Sequence, residues 1–203
     1  MPVPKQIINY LDKRGAKYAI VTHKKVYTAY DAAQTLRRKL DEIAKNLLVK
    51  TNKGFVLVLL PASKRLDLKK LKKLMNAKGK GIKKIEIPKE GVMVRIFKIK
   101  PGALGAFGSV HELEVYMDKN LQKVKKAIFP TGSFTDSVEM AMKEFEKLEK
   151  PIVGMFSEAK KFSARGGSAF GGKKKIVKVA KKAAKKAVKK IAKKVKKIIK
   201  KRR

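Results

Sequence analysis

Residues 45–61, KNLLVKTNKGFVLVLLP, constrain this chain more than any other stretch. Two apolar runs, 47–49 and 55–61, flank Asn52-Lys53-Gly54. The runs are built from Val, Leu and Phe, which pack well on a pleated surface. Asn and Gly accept the backbone angles of a tight reversal, so the stretch predicts a β-hairpin. Residues 55–60 are apolar at every position rather than at alternate ones, as in a strand covered on both faces. At the mouth of the hairpin sit Lys45 and Asn46, a cation and an amide where a buried strand begins.

The segments around the hairpin alternate between helix and strand signals, which places the chain in the α/β (α+β) class. Residues 4–14 read as a helix with Ile7, Ile8 and Leu11 on one stripe and Gly15 as its stop. Residues 17–22 are β-prone and His23 stands at their end. Thr28 is placed to cap a helix through Ala29, Ala32, Ala33 and Leu36. Residues 40–44 form a short turn into the hairpin. Residues 66–75 make an amphipathic helix, with Leu68, Leu71, Leu74 and Met75 inward. Its lysines 69, 70, 72 and 73 form a solvated face or meet nucleic-acid phosphates. Residues 82–87 and 92–99 look strand-like, the second alternatively helical. Residues 101–109, PGALGAFGS, are glycine-rich, and such backbone can approach a ligand closely and offer N–H groups to an oxyanion or phosphate. The commoner use of such a turn is structural. A closing helix at 138–148 completes the folded part.

Charge limits the partners. Lys and Arg number 54 against 16 acids, a net charge of +38; residues 173–203 hold 18 of these cations and no acid, which leaves +20 on the rest. Such a field attracts polyanions, nucleic acid first and an anionic membrane surface second, although general solubility is the plain alternative. With no cysteine, disulfides, thiolate metal sites and cysteine nucleophiles are excluded. Two histidines, His23 and His111, make a histidine-rich metal site improbable, and neither metal nor cofactor is expected. No apolar run approaches the length of a membrane span and no secretory signal precedes the first helix, so a cytoplasmic setting is expected. No serine sits in a Gly-x-Ser-x-Gly elbow, and there is no phosphate-binding lysine loop of the NTPase kind.

The order of these motifs resembles the YbaK/ProX aminoacyl-tRNA editing domain. The resemblance rests on KNLLVK followed by a second apolar strand and by Leu66-Asp67-Leu68-Lys69-Lys70-Leu71. Strand–His23–Thr28-Ala29–helix, the glycine-rich loop before a strand at 113–117 followed by Asp118, and the late strand and Gly132-Ser133 turn at 126–134 recur in the same order. It covers residues 1–150. The family usually carries Pro before the Phe-Gly of the loop; here Ala106 precedes Phe107-Gly108, which bears on the loop's shape.

The resemblance implies a mixed, strongly curved β-sheet with helices outside it, and a deacylase that hydrolyses the ester of mischarged tRNA. It implies that Lys45 lies in the deacylation site, with backbone at Gly105 and Gly108 holding the oxyanion. His23, Thr28, Asn46, Gly102, Phe107, Gly132 and Ser133 would contact the substrate. The implied partners are the acceptor end of tRNA and an aminoacyl-tRNA synthetase. The competing readings are a non-catalytic, chromatin-like nucleic-acid-binding protein on the same fold, and a peripheral membrane-surface protein.

The expected boundaries are an editing domain at 1–155, a Gly/Ser-rich linker at 156–172 and a lysine-rich tail at 173–203. In the tail, apolar residues recur every three or four positions with lysines between, a basic amphipathic helix in potential that repels itself when free. Lys181, Lys182, Lys185, Lys186, Lys189, Lys190, Lys193 and Lys194 are its expected nucleic-acid contacts. The composition is similar to that of linker-histone tails. Frequent Ala and no Trp or Phe make its apolar face a modest membrane anchor.

Overall fold

Asn52, Lys53 and Gly54 close the hairpin as expected. Thr51 Oγ1 accepts from Lys53 N and donates to Gly54 O, both at 3.0 Å, and Gly54 takes a φ of +123°. The computed structural model describes residues 3–97 and 103–160. In chain order these form α1 (Lys5–Lys13), β1 (Tyr18–Thr22), α2 (Ala29–Thr35), β2 (Ala44–Thr51), β3 (Gly54–Pro61), β4 (Lys64–Leu66) and α3 (Leu68–Ala77). Then come β5 (Ile85–Glu86), α4 (Glu90–Phe97), β6 (Glu114–Asp118), β7 (Lys126–Pro130), β8 (Asp136–Ala141), α5 (Met142–Glu149), β9 (Ile152–Gly154) and β10 (Ser157–Ala159).

The continuous apolar run of β3 has a direct structural use. Leu57 and Leu59 point into one core with Ile7, Leu11, Phe107, Phe129 and Phe145. Val56, Val58 and Leu60 point into a second core with Leu71 and Met75 of α3. Successive side chains leave a strand on opposite faces, so only an unbroken apolar sequence can serve two cores at once.

The sheet around β3 runs β5-β2-β3-β6-β9. It is mixed: β5, β2 and β3 pair antiparallel, while β3, β6 and β9 pair parallel. A separate antiparallel sheet runs β1-β8-β7, and β10 pairs with β4. The α/β class therefore holds, but among the described residues the strands form three sheets, none closed or strongly curled, where one strongly curved sheet was expected. A parallel bridge between Ile43 and Ile128 joins the start of the hairpin to β7.

Two local expectations change. Residues 138–148 do not form one helix: 136–141 are β8, and α5 starts only at Met142. Val138 and Met140 enter the core on one face of β8, which lies between β1 and β7 with a five-residue ladder on each side. Two ladders outweigh the helical spacing of Val138, Met142 and Phe145. At the other end, the chain divides into units at 1–160 and 161–203. Phe156 is fully buried, its N–H donates to Asp118 Oδ2 at 2.8 Å, and β10 follows. The first five residues expected as linker thus belong to the folded unit. The remaining linker, the lysine-rich tail and Gly102 lie outside the described residues. Among the described residues no helix is long and apolar enough to cross a membrane.

Candidate functional site

A cavity of about 250 Å³ opens where β2, the loop after β1, α2, and the ends of β7 and β8 meet. His23, Thr28, Lys45, Asn46 and Ser133, separated by up to 110 residues in sequence, all line it. Its apolar wall comes from Ala32, Ile43 and Ile128, which pack together in a small core of their own.

Among the described residues Lys45 is the one lysine or arginine on the lining. Its Nζ donates to Lys64 O at 2.8 Å. An ammonium has three donors, so two remain for a ligand. Burial, and secondarily the charge of Lys160, push its pKa down to about 8. The buried strand start makes the cation costly there, and a ligand bearing negative charge or a polarised carbonyl offsets that cost.

Asn46 does something that was not expected of it. Its side-chain amide donates to Gly105 O at 2.8 Å and also to Leu104 O. The side chain therefore pins the glycine-rich loop against the start of β2. Ala106 N donates to Pro130 O at 2.8 Å, and Gly105 bridges Thr131, so the loop continues the edge of β7. The Ala106 N–H, bonded to Pro130, is thereby taken away from any oxyanion.

The rest of that loop turns inward. Phe107 is 0% exposed and packs against Tyr10, Phe129 and Phe145, with ring centroids 5.9–6.4 Å away. Gly108 is buried under β6: a Cβ there would stand 2.4 Å from Val115 Cγ2 and 2.7 Å from Leu113 O. Phe107 and Gly108 are thus core residues and not cavity residues. A full-size aromatic ring finds more apolar surface among three other rings than at a cavity rim, and the adjacent glycine lets the chain pass under β6.

His23 is 8% exposed and held by both nitrogens. Nδ1 lies 2.9 Å from Lys24 O and Nε2 lies 2.9 Å from Ser137 Oγ. A carbonyl can only accept, so Nδ1 carries a proton, and in the neutral ring Nε2 accepts from the Ser137 hydroxyl. Ser137 also lines the cavity and was missed in the sequence. Its signal is strand alternation along β8, hidden once that segment is read as helix.

The turn before β8 is a network of hydroxyls about Asp136. Thr22 Oγ1 donates to Oδ1 at 2.8 Å, while Ser133 Oγ and Thr135 Oγ1 donate to Oδ2 at 3.2 and 2.5 Å. The Thr135 hydroxyl foremost, with those of Thr22 and Ser133, holds this buried carboxyl below the usual carboxylate range despite its burial. Gly132 has a φ of +90°, and a Cβ on it would stand 2.9 Å from Ala103 O. Its place in the turn is thus conformational, with Ser133 beside it on the cavity. Thr28 both lines the cavity and caps α2 through a reciprocal box with Asp31, its Oγ1 accepting from Asp31 N at 3.1 Å. Among the described residues, no three His, Cys, Asp or Glu side chains cluster as a metal would require.

The model of the aminoacyl-tRNA editing domain family matches residues 23–148, from the cavity histidine into the last turn of α5. The prolyl-tRNA editing protein ProX of Acetoanaerobium sticklandii is 27% identical over 157 residues, covering 74% of this chain and 92% of that protein. A proline–tRNA ligase of Macrococcus caseolyticus is 32% identical over 97 residues, 48% of this chain and 16% of the ligase. A solved structure described as a candidate trans-editing enzyme for prolyl-tRNA synthetase superposes with a TM-score of 0.67 at 22% identity. That match covers 78% of this chain and 99% of the other, and it supports the fold.

Proposed function

The chain belongs to the aminoacyl-tRNA editing domain family, and from that premise we propose that it is a trans-editing deacylase acting on mischarged tRNA. The reaction is hydrolysis: water adds to the ester carbonyl, the bond to the ribose oxygen breaks, and free amino acid and tRNA leave. The observation that carries this reading is Lys45, a half-buried cation with a lowered pKa on a cavity of amino-acid size.

An aminoacyl ester is already activated relative to an amide. Positioning and charge stabilisation then suffice without a strong protein nucleophile. The two spare donors of the Lys45 ammonium take the ester carbonyl as it gains negative charge. The attacking water is activated by the neighbouring ribose hydroxyl. Asn46 acts as a positioning residue, by fixing Leu104 and Gly105 at the cavity edge. The His23–Ser137 pair supplies a polar floor for the amino-acid end of the substrate. The cationic tail, through Lys181, Lys182, Lys185, Lys186, Lys189, Lys190, Lys193 and Lys194, adds phosphate contacts and raises the local concentration of tRNA. Removing residues 173–203 raises KM far more than it lowers kcat. The likeness to ligase-embedded domains supports a synthetase as the source of the mischarged tRNA.

The test is single-turnover deacylation over a panel of aminoacyl-tRNAs, with wild type and Lys45→Ala side by side. Loss of one well-placed charge-stabilising donor costs on the order of 100-fold in rate. An undiminished rate in Lys45→Ala would falsify the assignment. No turnover on any tRNA, with tight binding retained, would favour the non-catalytic nucleic-acid-binding reading.

A further inference from the structure

Tyr27 stands at the rim of the cavity and is 61% exposed. A large aromatic ring gains by burial, and one left exposed at a cavity rim on a rigid backbone is placed to receive a flat ligand surface. The backbone here is rigid on both sides. His23 N donates to Thr135 O at 2.7 Å and Val26 N to Phe134 O at 2.9 Å, which ties the 23–28 loop to the 131–137 turn. The Thr28–Asp31 capping box anchors the other side.

Phe134, half-buried, sits next to Tyr27 with ring centroids 5.3 Å apart at 51°. Lys25 Nζ lies 5.3 Å from the centre of the Tyr27 ring. Residues 23–30 contain Lys24 and Lys25 and no acid, and the carboxylates beside them are engaged, Asp31 by the cap and Asp136 by the hydroxyls of Thr22, Ser133 and Thr135. The rim therefore offers the Tyr27 ring, with the half-buried Phe134 ring beside it and the Lys25 ammonium near its face, directly outside the cavity.

We propose that Tyr27 and Phe134 form a stacking platform for the purine base of the substrate's terminal nucleotide, with Lys25 meeting that nucleotide's phosphate. This rests on the deacylase reading and adds how the nucleotide end is gripped. The chemistry is that of single-stranded nucleic-acid binding, in which an unpaired base stacks on an aromatic ring and a nearby cation tracks the backbone. An aminoacyl ester carries its base only one ribose away from the amino acid, so a cavity for the second needs a flat surface close by for the first. Tyrosine fits this use because ordering it fixes few rotamers.

The experiment is an NMR titration of the full chain with adenosine 5′-monophosphate and, separately, ribose 5-phosphate. Tyr27 ring resonances are assigned by difference from Tyr27→Phe. The expected result is a shift of the Tyr27 ring by the nucleotide and none by the sugar phosphate, which shares the charge but lacks the base. In deacylation, Tyr27→Ala raises KM about tenfold with a smaller change in kcat, and Tyr27→Phe recovers it, since stacking needs the ring and not the hydroxyl. Equal response to both compounds, or to neither, overturns the platform, as does an unchanged KM in Tyr27→Ala. If wild type deacylates nothing yet the ring still responds to the nucleotide alone, the deacylase reading fails and the platform stands. If deacylation depends on Lys45 while Tyr27 responds to nothing, the platform fails and the deacylase reading stands.

Discussion

The 103–109 loop and the 131–137 turn are joined at the Gly105–Thr131 bridge, and both carry glycines, yet they are held by different forces. The first is held largely by apolar burial: Leu104, Ala106 and Phe107 are buried in the main core. The second is held by hydroxyls and one carboxylate: Thr131 Oγ1 donates to Asp136 O at 2.8 Å, and Ser133 Oγ accepts from Thr135 N and Asp136 N, both at 3.1 Å. Glycine content alone makes the loop look like the ligand-binding element. Packing makes it mostly structure and gives the polar work to the turn.

The sharpest way to break this comparison is Phe107→Ala. Removing a fully buried ring from a cluster of four costs about 3–5 kcal/mol, read by urea denaturation. Near-native stability with lost substrate binding would return Phe107 to the cavity. Gly108→Ala comes next, at about 1–3 kcal/mol, because its Cβ would meet Val115 Cγ2 and Leu113 O.

The pH profile of deacylation tests the cavity itself. Lys45 has a pKa near 8 and acts as ammonium, so the rate falls with rising pH above about 8 and is level below. A rate that rises through pH 8 instead would make Lys45 a neutral base. The smallest effect is expected in the turn. The folded-state pKa of Asp136 is depressed, so its stabilisation is present above the unfolded value of about 4 and is lost as pH falls through the lower folded value. Asp136→Asn therefore lowers stability by about 1–2 kcal/mol at pH 7, and the gap to wild type closes as pH falls through that lower folded value. A gap independent of pH would mean that the hydroxyls hold the turn without the charge.

Much of the fold is legible along the chain. The hairpin, α1, the cap at Thr28 and the amphipathic α3 each follow from residues within a dozen positions, because caps, turns and apolar stripes are local physics. β8 is not legible in this way. Its sequence, DSVEMA, suits helix and strand alike, and only pairing with β1 and β7, more than 100 residues away on one side, decides between them. Ser137 was lost with it. The end of the folded unit is not legible for a related reason: Phe156 and β10 are fixed by Asp118 and β4, distant partners that composition does not reveal.

The sequence by itself determined that Lys45 would open a buried strand, because the strand's unbroken apolar run is its own evidence of burial. It also determined that His23, Thr28 and Ser133 stand at or near the ends of elements. Which side chains meet the cavity was decided only by tertiary structure. Asn46 and Phe107 read equally well as ligand contacts until their neighbours are known. The amide of Asn46 is taken by two carbonyls of the 103–109 loop, and the ring of Phe107 is surrounded by three others. A polar group goes where unpaired partners are and an aromatic ring where apolar surface is, and both are set by chain segments far away in sequence.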